Sequence, residues 1–438
     1  MSASPVEIAD AIADDAAIKR RSLTLGLLTV TYFFSYMDRQ ILAILQELIK
    51  EDLNLSDTQL GMLTGLAFAV FYAGLGIPVA RLADRMNRKN IIAISLTVWS
   101  AMTAACGLAQ NFIQLLLFRI GVGVGEAGSS PPSHSIIADL YPPEKRASAM
   151  AIYSLGVVLG TAFGTMIGGT VAHYYGWRIA LFAVGIPGVL LAFFVWKYVV
   201  EPRRGLSDVA KVVESDTMPT LGQGFAGMWR NKAAVHVVLG VTLTSMIGYG
   251  LAAFGPSYMQ RSLDMSLLQI AWIVAPVLGI VGAASTVLGG RLADWLAKRH
   301  GMHSQSWMVA VLKLIALPFA LAFYWLDSWQ LALSAYVVAL LFQNSYLGPS
   351  FAMIQSLAPQ KVRALWAAIT LLVINMVGLG IGPVAVGRLS DALNPAYGED
   401  SLRYAMLIFA AITPWAIFHY WRAGVLLKQQ QDARAQAR

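Results

Sequence analysis

The chain has 438 residues, 57% hydrophobic and only 13% charged, against about 25% charged in an ordinary soluble domain, so it is read as a polytopic membrane protein. A single cysteine, Cys106, excludes an internal disulfide and any CxxC redox or metal pair, and the six histidines form no HExxH. The net charge of +8 would suit a polyanion, but the charges cluster in the connections between apolar runs, which argues against nucleic acid.

Residues 1–18 include Glu7, Asp10, Asp14 and Asp15 and lack the basic start of a signal peptide, so the first apolar segment is expected to be retained. Apolar runs of membrane-crossing length predict twelve helices, at roughly 23–48, 58–82, 90–110, 112–138, 147–173, 177–200, 233–259, 267–293, 305–326, 329–356, 364–389 and 403–424. With residue 1 on the cytoplasmic side, that side holds most of the lysines and arginines. The opposite side holds Lys50, Arg178, Arg261, Arg388 and Arg403. This asymmetry predicts both termini in the cytoplasm.

The longest polar connection divides the chain into a cytoplasmic segment 1–22, a six-helix bundle 23–200, a linker 201–232, a second six-helix bundle 233–424 and a tail 425–438. The halves repeat one another. RLAD occurs at Arg81–Asp84 and again at Arg291–Asp294, and LYPPEKRASAMAI from Leu140 pairs with LAPQKVRALWAAI from Leu357. In that register Arg146 aligns with Arg363, and Glu126 with Gln343. The fold expected is an all-α integral membrane protein of two pseudo-symmetric six-helix bundles, as in secondary transporters with a site near the midplane.

Four ionisable residues lie deep in apolar runs. Asp38 and Arg39 stand in YMDRQ of the first, while Arg119 and Glu126, seven positions apart, share one face of the fourth. A charge at bilayer depth costs at least a few kcal/mol, so these groups are expected to face a cavity and one another. Tyr36, Gln343 and Asn344 are further candidates to line it. GVGEAG, Gly123–Gly128, matches GxGxxG, but it lies inside a membrane-length run rather than between a strand and a helix. Lys313 reads as a snorkelling or structural lysine, and His134 as packing beside Pro131 and Pro132. Neither a GxSxG elbow nor a GxxxxGK[ST] loop occurs, so neither a hydrolase nor a primary pump is expected, and no cofactor or metal is called for.

ARLADRMNRK, Ala80–Lys89, resembles the loop signature GxLaDRxGRK of the major facilitator superfamily, with Ala80 and Asn87 in place of two glycines. Arg119 followed by glycines, and Gly160, Gly164 and Gly168, resemble that superfamily's fourth and fifth helices. Within it, YMDRQ, the stretch from Leu55 to Arg85 and RIGVGVGEAGSSPPSH are most similar to bacterial Spinster proteins. The resemblance implies alternating access in a bacterial inner membrane by a monomer. It also implies coupling to protons through Asp38 and Glu126, and an anionic amphiphile, lysophospholipid or sphingosine phosphate, held by Arg39, Arg119 and Glu126. It further implies a cytoplasmic gate at Asp84, Arg85, Arg88 and Arg146. The superfamily's organic-anion transporters share the DR and GxGE patterns, so small organic anions are the alternative cargo, with amphiphilic drugs beside them.

Overall fold

The structure, a computed structural model, describes residues 17–207, 220–359 and 362–436, and every regular element among them is helical. The residues outside that range include most of 1–22, part of the 201–232 connection, and 437–438, and nothing is described of the side chain of Asp84. Helices prevail because lipid offers no partner for backbone N–H and C=O groups, which must bond within the segment. Nine described stretches are long and apolar enough to cross a membrane, and two of these, Glu144–Tyr198 and Leu365–Ala433, have length for two crossings each. With the 33-residue helix Arg21–Leu53, they accommodate the twelve predicted crossings.

Contacts divide the chain into two units, one of Met1–Leu53 and Ala67–Glu214, the other of Asn54–Leu66 and Ser215–Arg438. In the first unit the helices are α1 (Arg21–Leu53), α2 (Ala67–Arg85), α3 (Arg88–Cys106), α4 (Phe112–Glu126), α5 (Ser130–Leu140) and α6 (Pro143–Tyr198). Asn87 replaces the glycine of the loop signature by serving as an N-cap: at φ −67° it needs no left-handed conformation, and its side chain accepts the Asn90 N–H at 3.1 Å. The fourth predicted span is two helices, with Pro131 and Pro132 starting α5, where missing N–H groups cost least. α6 joins the fifth and sixth spans through Gly176, whose φ of 82° disfavours any side chain.

α6 packs on α1 through Gly156, Gly160, Gly164 and Gly168, one turn apart, as small-residue interfaces do in membranes. A β-carbon on Gly164 would stand 2.9 Å from the Met37 carbonyl oxygen, and one on Gly160 would strike that of Phe33. Gly160→Leu is expected to destabilise the first unit by about 3 kcal/mol or more, since backbone rather than a flexible side chain blocks the space. Thermal unfolding in detergent should show it, with Gly26→Leu, at a position open within 4 Å, as the neutral control.

In the second unit the repeat is visible in helix lengths. α4 and Trp329–Gln343 each have 15 residues, and the helices that follow them, α5 and Leu347–Leu357, each have 11. The core gathers Val237, Val241, Val309, Met353, Ile354, Trp366 and Tyr420. Asn54–Leu66 belongs here because of its polar contacts: Arg261 donates to both oxygens of buried Asp57 at 2.8 and 2.9 Å, Ser390 donates to it at 2.6 Å, and Asp391 accepts the Thr58 N–H at 2.8 Å.

Candidate functional site

α1 presents Ser35, Asp38 and Arg39 within one helical turn, so the three share a side of the helix, and α4 brings Arg119 and Glu126. The apolar run that makes each helix membrane-compatible is also what withdraws these groups from water. Arg39 donates to Glu126 Oε2 through Nε at 2.8 Å and through Nη2 at 2.7 Å. Ser35 donates to the same oxygen at 2.8 Å. The Glu126 side chain is wholly buried, and its other oxygen, Oε1, has no hydrogen-bond partner among the described residues.

Asp38 is fully buried, and neither of its oxygens has a hydrogen-bond partner among the described residues. It stands in the field of Glu126, Arg119 and Arg39, with Thr103 beside it. The Arg39 guanidinium sits among the rings of Phe68, Tyr72 and Tyr36 at 4.7, 4.7 and 4.9 Å, and that of Arg119 faces the same Phe68 at 5.8 Å. Cation–π contact of this kind holds a guanidinium without consuming its N–H donors. The Arg39 side chain is 21% exposed, against none for Glu126, so solvent reaches the base of this pair and not the acid.

Five predicted residues, Tyr36, Asp38, Arg39, Arg119 and Glu126, therefore form one cluster in the first unit. Gln343 and Asn344 lie in the second, half-buried at the end of their helix, with the Asn344 amide close to Gly282. Lys313 does not snorkel: it is 3% exposed in the middle of helix His303–Trp325, with its ammonium 4.8 Å from the ring of Tyr346. His134 packs edge-on against Tyr153 at 5.2 Å. Ser35, Phe68 and Tyr72 escaped sequence reading. Ser35, one turn before Arg39, was the only one with a positional signal.

A second charged cluster holds the other end of the first unit. Buried Arg88 donates to Asp139 at 2.5 Å, Ser135 at 2.7 Å, Glu201 at 2.6 Å and the Pro202 carbonyl at 2.8 Å. The start of the 201–232 connection is stitched on by the Gly205 N–H to Asp139 at 3.0 Å and by Arg204 to the Ala83 carbonyl at 2.6 Å. Arg146 donates to the Ala138 carbonyl at 2.7 Å, near the end of α5, and Arg85 is exposed. Arg88→Ala would leave Asp139 buried without its cation, a loss of about 3–5 kcal/mol. Arg88→Lys should restore only part of the melting temperature, since one ammonium cannot reproduce the fork.

The sequence profile of the Major Facilitator Superfamily matches residues 28–383. An MFS-type efflux pump of Mycolicibacterium smegmatis is 34% identical over 439 residues, covering all of both chains. The hexuronate transporter of Bacillus subtilis is 25% identical over 86% of this chain and 90% of its own. Among solved structures, a bacterial homologue of the human lysosomal transporter Spinster, in an inward-facing, unoccupied conformation, superposes with a TM-score of 0.84 at 30% identity, over 93% of this chain and 98% of its own.

Proposed function

The chain belongs to the Major Facilitator Superfamily, as a Spinster-like transporter rather than an enzyme, and on that premise we propose that it moves an amphiphilic anion by alternating access coupled to protons. The observation that carries this reading is the Arg39–Glu126 pair, its acid wholly buried, beside an Asp38 whose oxygens find no hydrogen-bond partner among the described residues. While Glu126 is ionised it occupies two of the donors of Arg39. Protonating it removes that charge and frees the fork for a phosphate or carboxylate, so a proton and an anion enter together. Asp38, facing Arg119, is the second carrier of the relay.

Arg39, Arg119 and Tyr36 hold the head in this reading, and Gln343 and Asn344 are the second unit's contribution. The protein works as a monomer in a bacterial inner membrane with both termini cytoplasmic. Asp84, Arg85, Arg88 and Arg146 make its cytoplasmic gate. The chain divides functionally as its sequence suggests, with bundles 23–200 and 233–424 and cytoplasmic segments 1–22, 201–232 and 425–438. A lysophospholipid or sphingosine-phosphate-like molecule fits the cluster's cations and the aliphatic second unit. Outward transport, of amphiphilic drugs in the alternative reading, agrees with the efflux pump relative in direction alone, and transport of small organic anions is supported by the hexuronate transporter.

Proteoliposome flux with and without a pH gradient tests the reading. Affinity should rise about fourfold for each added methylene of the acyl chain, following ~0.8 kcal/mol per buried CH₂. Full competition by short organic acids, with none by long-chain lysolipids, would replace the amphiphile by the organic anion.

A further inference from the structure

The 201–232 connection ends in the helix Leu221–Arg230, whose start is held by a reciprocal pair of hydrogen bonds between Thr220 and Gln223. This helix has two faces. On the inner one Gly224 lies against Leu365, Gly227 lies against the indole of Trp366, and Met228 enters the core of the second unit. On the outer one Phe225 and Trp229, one turn apart, are 48% and 67% exposed. An exposed aromatic face of this kind suits the interfacial plane of a bilayer, a depth that tryptophan favours.

Beside the helix opens a cavity of about 810 Å³ whose lining includes Arg230, Asn231, Lys232, Trp366, Gln429 and Gln430. Two cations line it and no carboxylate does among the described residues. The Trp366 indole N–H is buried and finds no acceptor among the described residues, Trp366 being 2% exposed. A buried donor without an acceptor is costly, and here its residue lines a cavity that carries two cations. An oxygen-rich anion would satisfy both.

We propose that this cavity is a headgroup site for an anionic phospholipid of the leaflet that the basic connections face. Arg230 and Lys232 meet the phosphate, Trp366 donates its N–H to a headgroup oxygen, and the acyl chains leave along Phe225 and Trp229. The exposed aromatic pair is what favours a lipid over a soluble phosphate, which would have no use for it. All of these residues belong to the second unit, so the site is separate from the Arg39–Glu126 cluster and does not depend on the transported substrate.

The test is a titration of the purified full-length chain with phosphatidylglycerol in mixed micelles, read as bound lipid by native mass spectrometry, with phosphatidylcholine as comparison. One saturable phosphatidylglycerol per chain is expected, bound at least tenfold tighter than phosphatidylcholine. Arg230→Gln with Lys232→Gln should weaken it about thirtyfold, the combined effect of two interfacial cations. Gly227→Leu should weaken binding at least tenfold by covering the Trp366 indole, beside which its side chain would stand. Gly227→Ala should keep it, because its β-carbon would stand 3.9 Å from Trp366 Cζ2, an ordinary contact. Millimolar inorganic phosphate should displace none of the lipid. Equal affinity for the two lipids, indifference to the paired glutamines and to Gly227→Leu, or displacement by inorganic phosphate would each overturn the proposal.

Discussion

Glu126→Gln is expected to abolish the response of transport to a pH gradient while leaving the protein folded. Glutamine keeps the volume of Glu126 and an oxygen to accept from Ser35 and Arg39, so the melting temperature should move by only a few degrees. It cannot take up or release the proton. Gradient-driven flux should fall by on the order of a hundredfold, the scale seen when a positioned proton-transfer group is removed, whereas exchange of internal for external substrate should persist. A mutant whose flux still follows the pH gradient as the wild type does would exclude Glu126 as the carrier. Asp38→Asn should produce a partial version of the same defect, because Asp38 stands in the field of Glu126 but makes no hydrogen bond that its amide would replace.

Arg39→Ala should show the second large effect, on binding rather than on coupling. The deletion strands Glu126 in a fully buried position without its ion-pair partner, the Ser35 hydroxyl still donating to it, a situation that costs about 3–5 kcal/mol if the carboxylate stays ionised. Protonation of Glu126 relieves that cost, so the variant should fold with the acid neutral. What it then lacks is the forked donor for the anion. Affinity for an anionic amphiphile should drop about 10- to 150-fold, the equivalent of losing charge-assisted hydrogen bonds worth about 1.5–3 kcal/mol. Arg39→Lys should recover part of this, keeping the charge near Phe68, Tyr72 and Tyr36 without the planar fork. Equilibrium binding to the purified variants distinguishes the outcomes, and unchanged affinity in Arg39→Ala would remove this arginine from the head site.

Much of this architecture was legible beforehand for a simple reason. Apolar length and charge asymmetry are one-dimensional properties, and the bilayer reads them one-dimensionally. The depth of Asp38, Arg39, Arg119 and Glu126 followed from their position in apolar runs, and their meeting followed from the expense of leaving any of them alone. The tertiary choices had no such signal. Phe68 and Tyr72 look like any aromatic in an apolar helix until Arg39 is placed among them. Asp139 and Glu201 are far apart in sequence and become a pair only because Arg88 has donors for both.

Local chemistry explains the remaining departures. Asn87 could replace a signature glycine because an extended N-cap, and not a left-handed turn, is what that corner requires. The grouping of Asn54–Leu66 with the second unit rests on Arg261, Ser390 and Asp391, which no span-by-span reading would join to Asp57 and Thr58. π-helical turns at Met62–Leu66, Ile270–Val274 and Ile374–Ile381 were likewise invisible, since a 3.6-residue period cannot announce where the helix widens. Of the two readings open for Lys313, snorkelling and structural, burial beside Tyr346 leaves the structural one.

The claim at the centre of this account is that the anion and the proton enter one cluster together, through the exchange of Glu126 for the anion as the partner of Arg39. Proton uptake on ligand addition measures this directly: a lysophospholipid is added to purified protein in weakly buffered detergent solution containing a pH-sensitive dye. The account predicts about one proton taken up per anion bound at neutral pH by the wild type and none by Glu126→Gln, since only the ionised acid must be neutralised to release the guanidinium. Saturable binding without proton uptake in the wild type, or with equal uptake in Glu126→Gln, would contradict it.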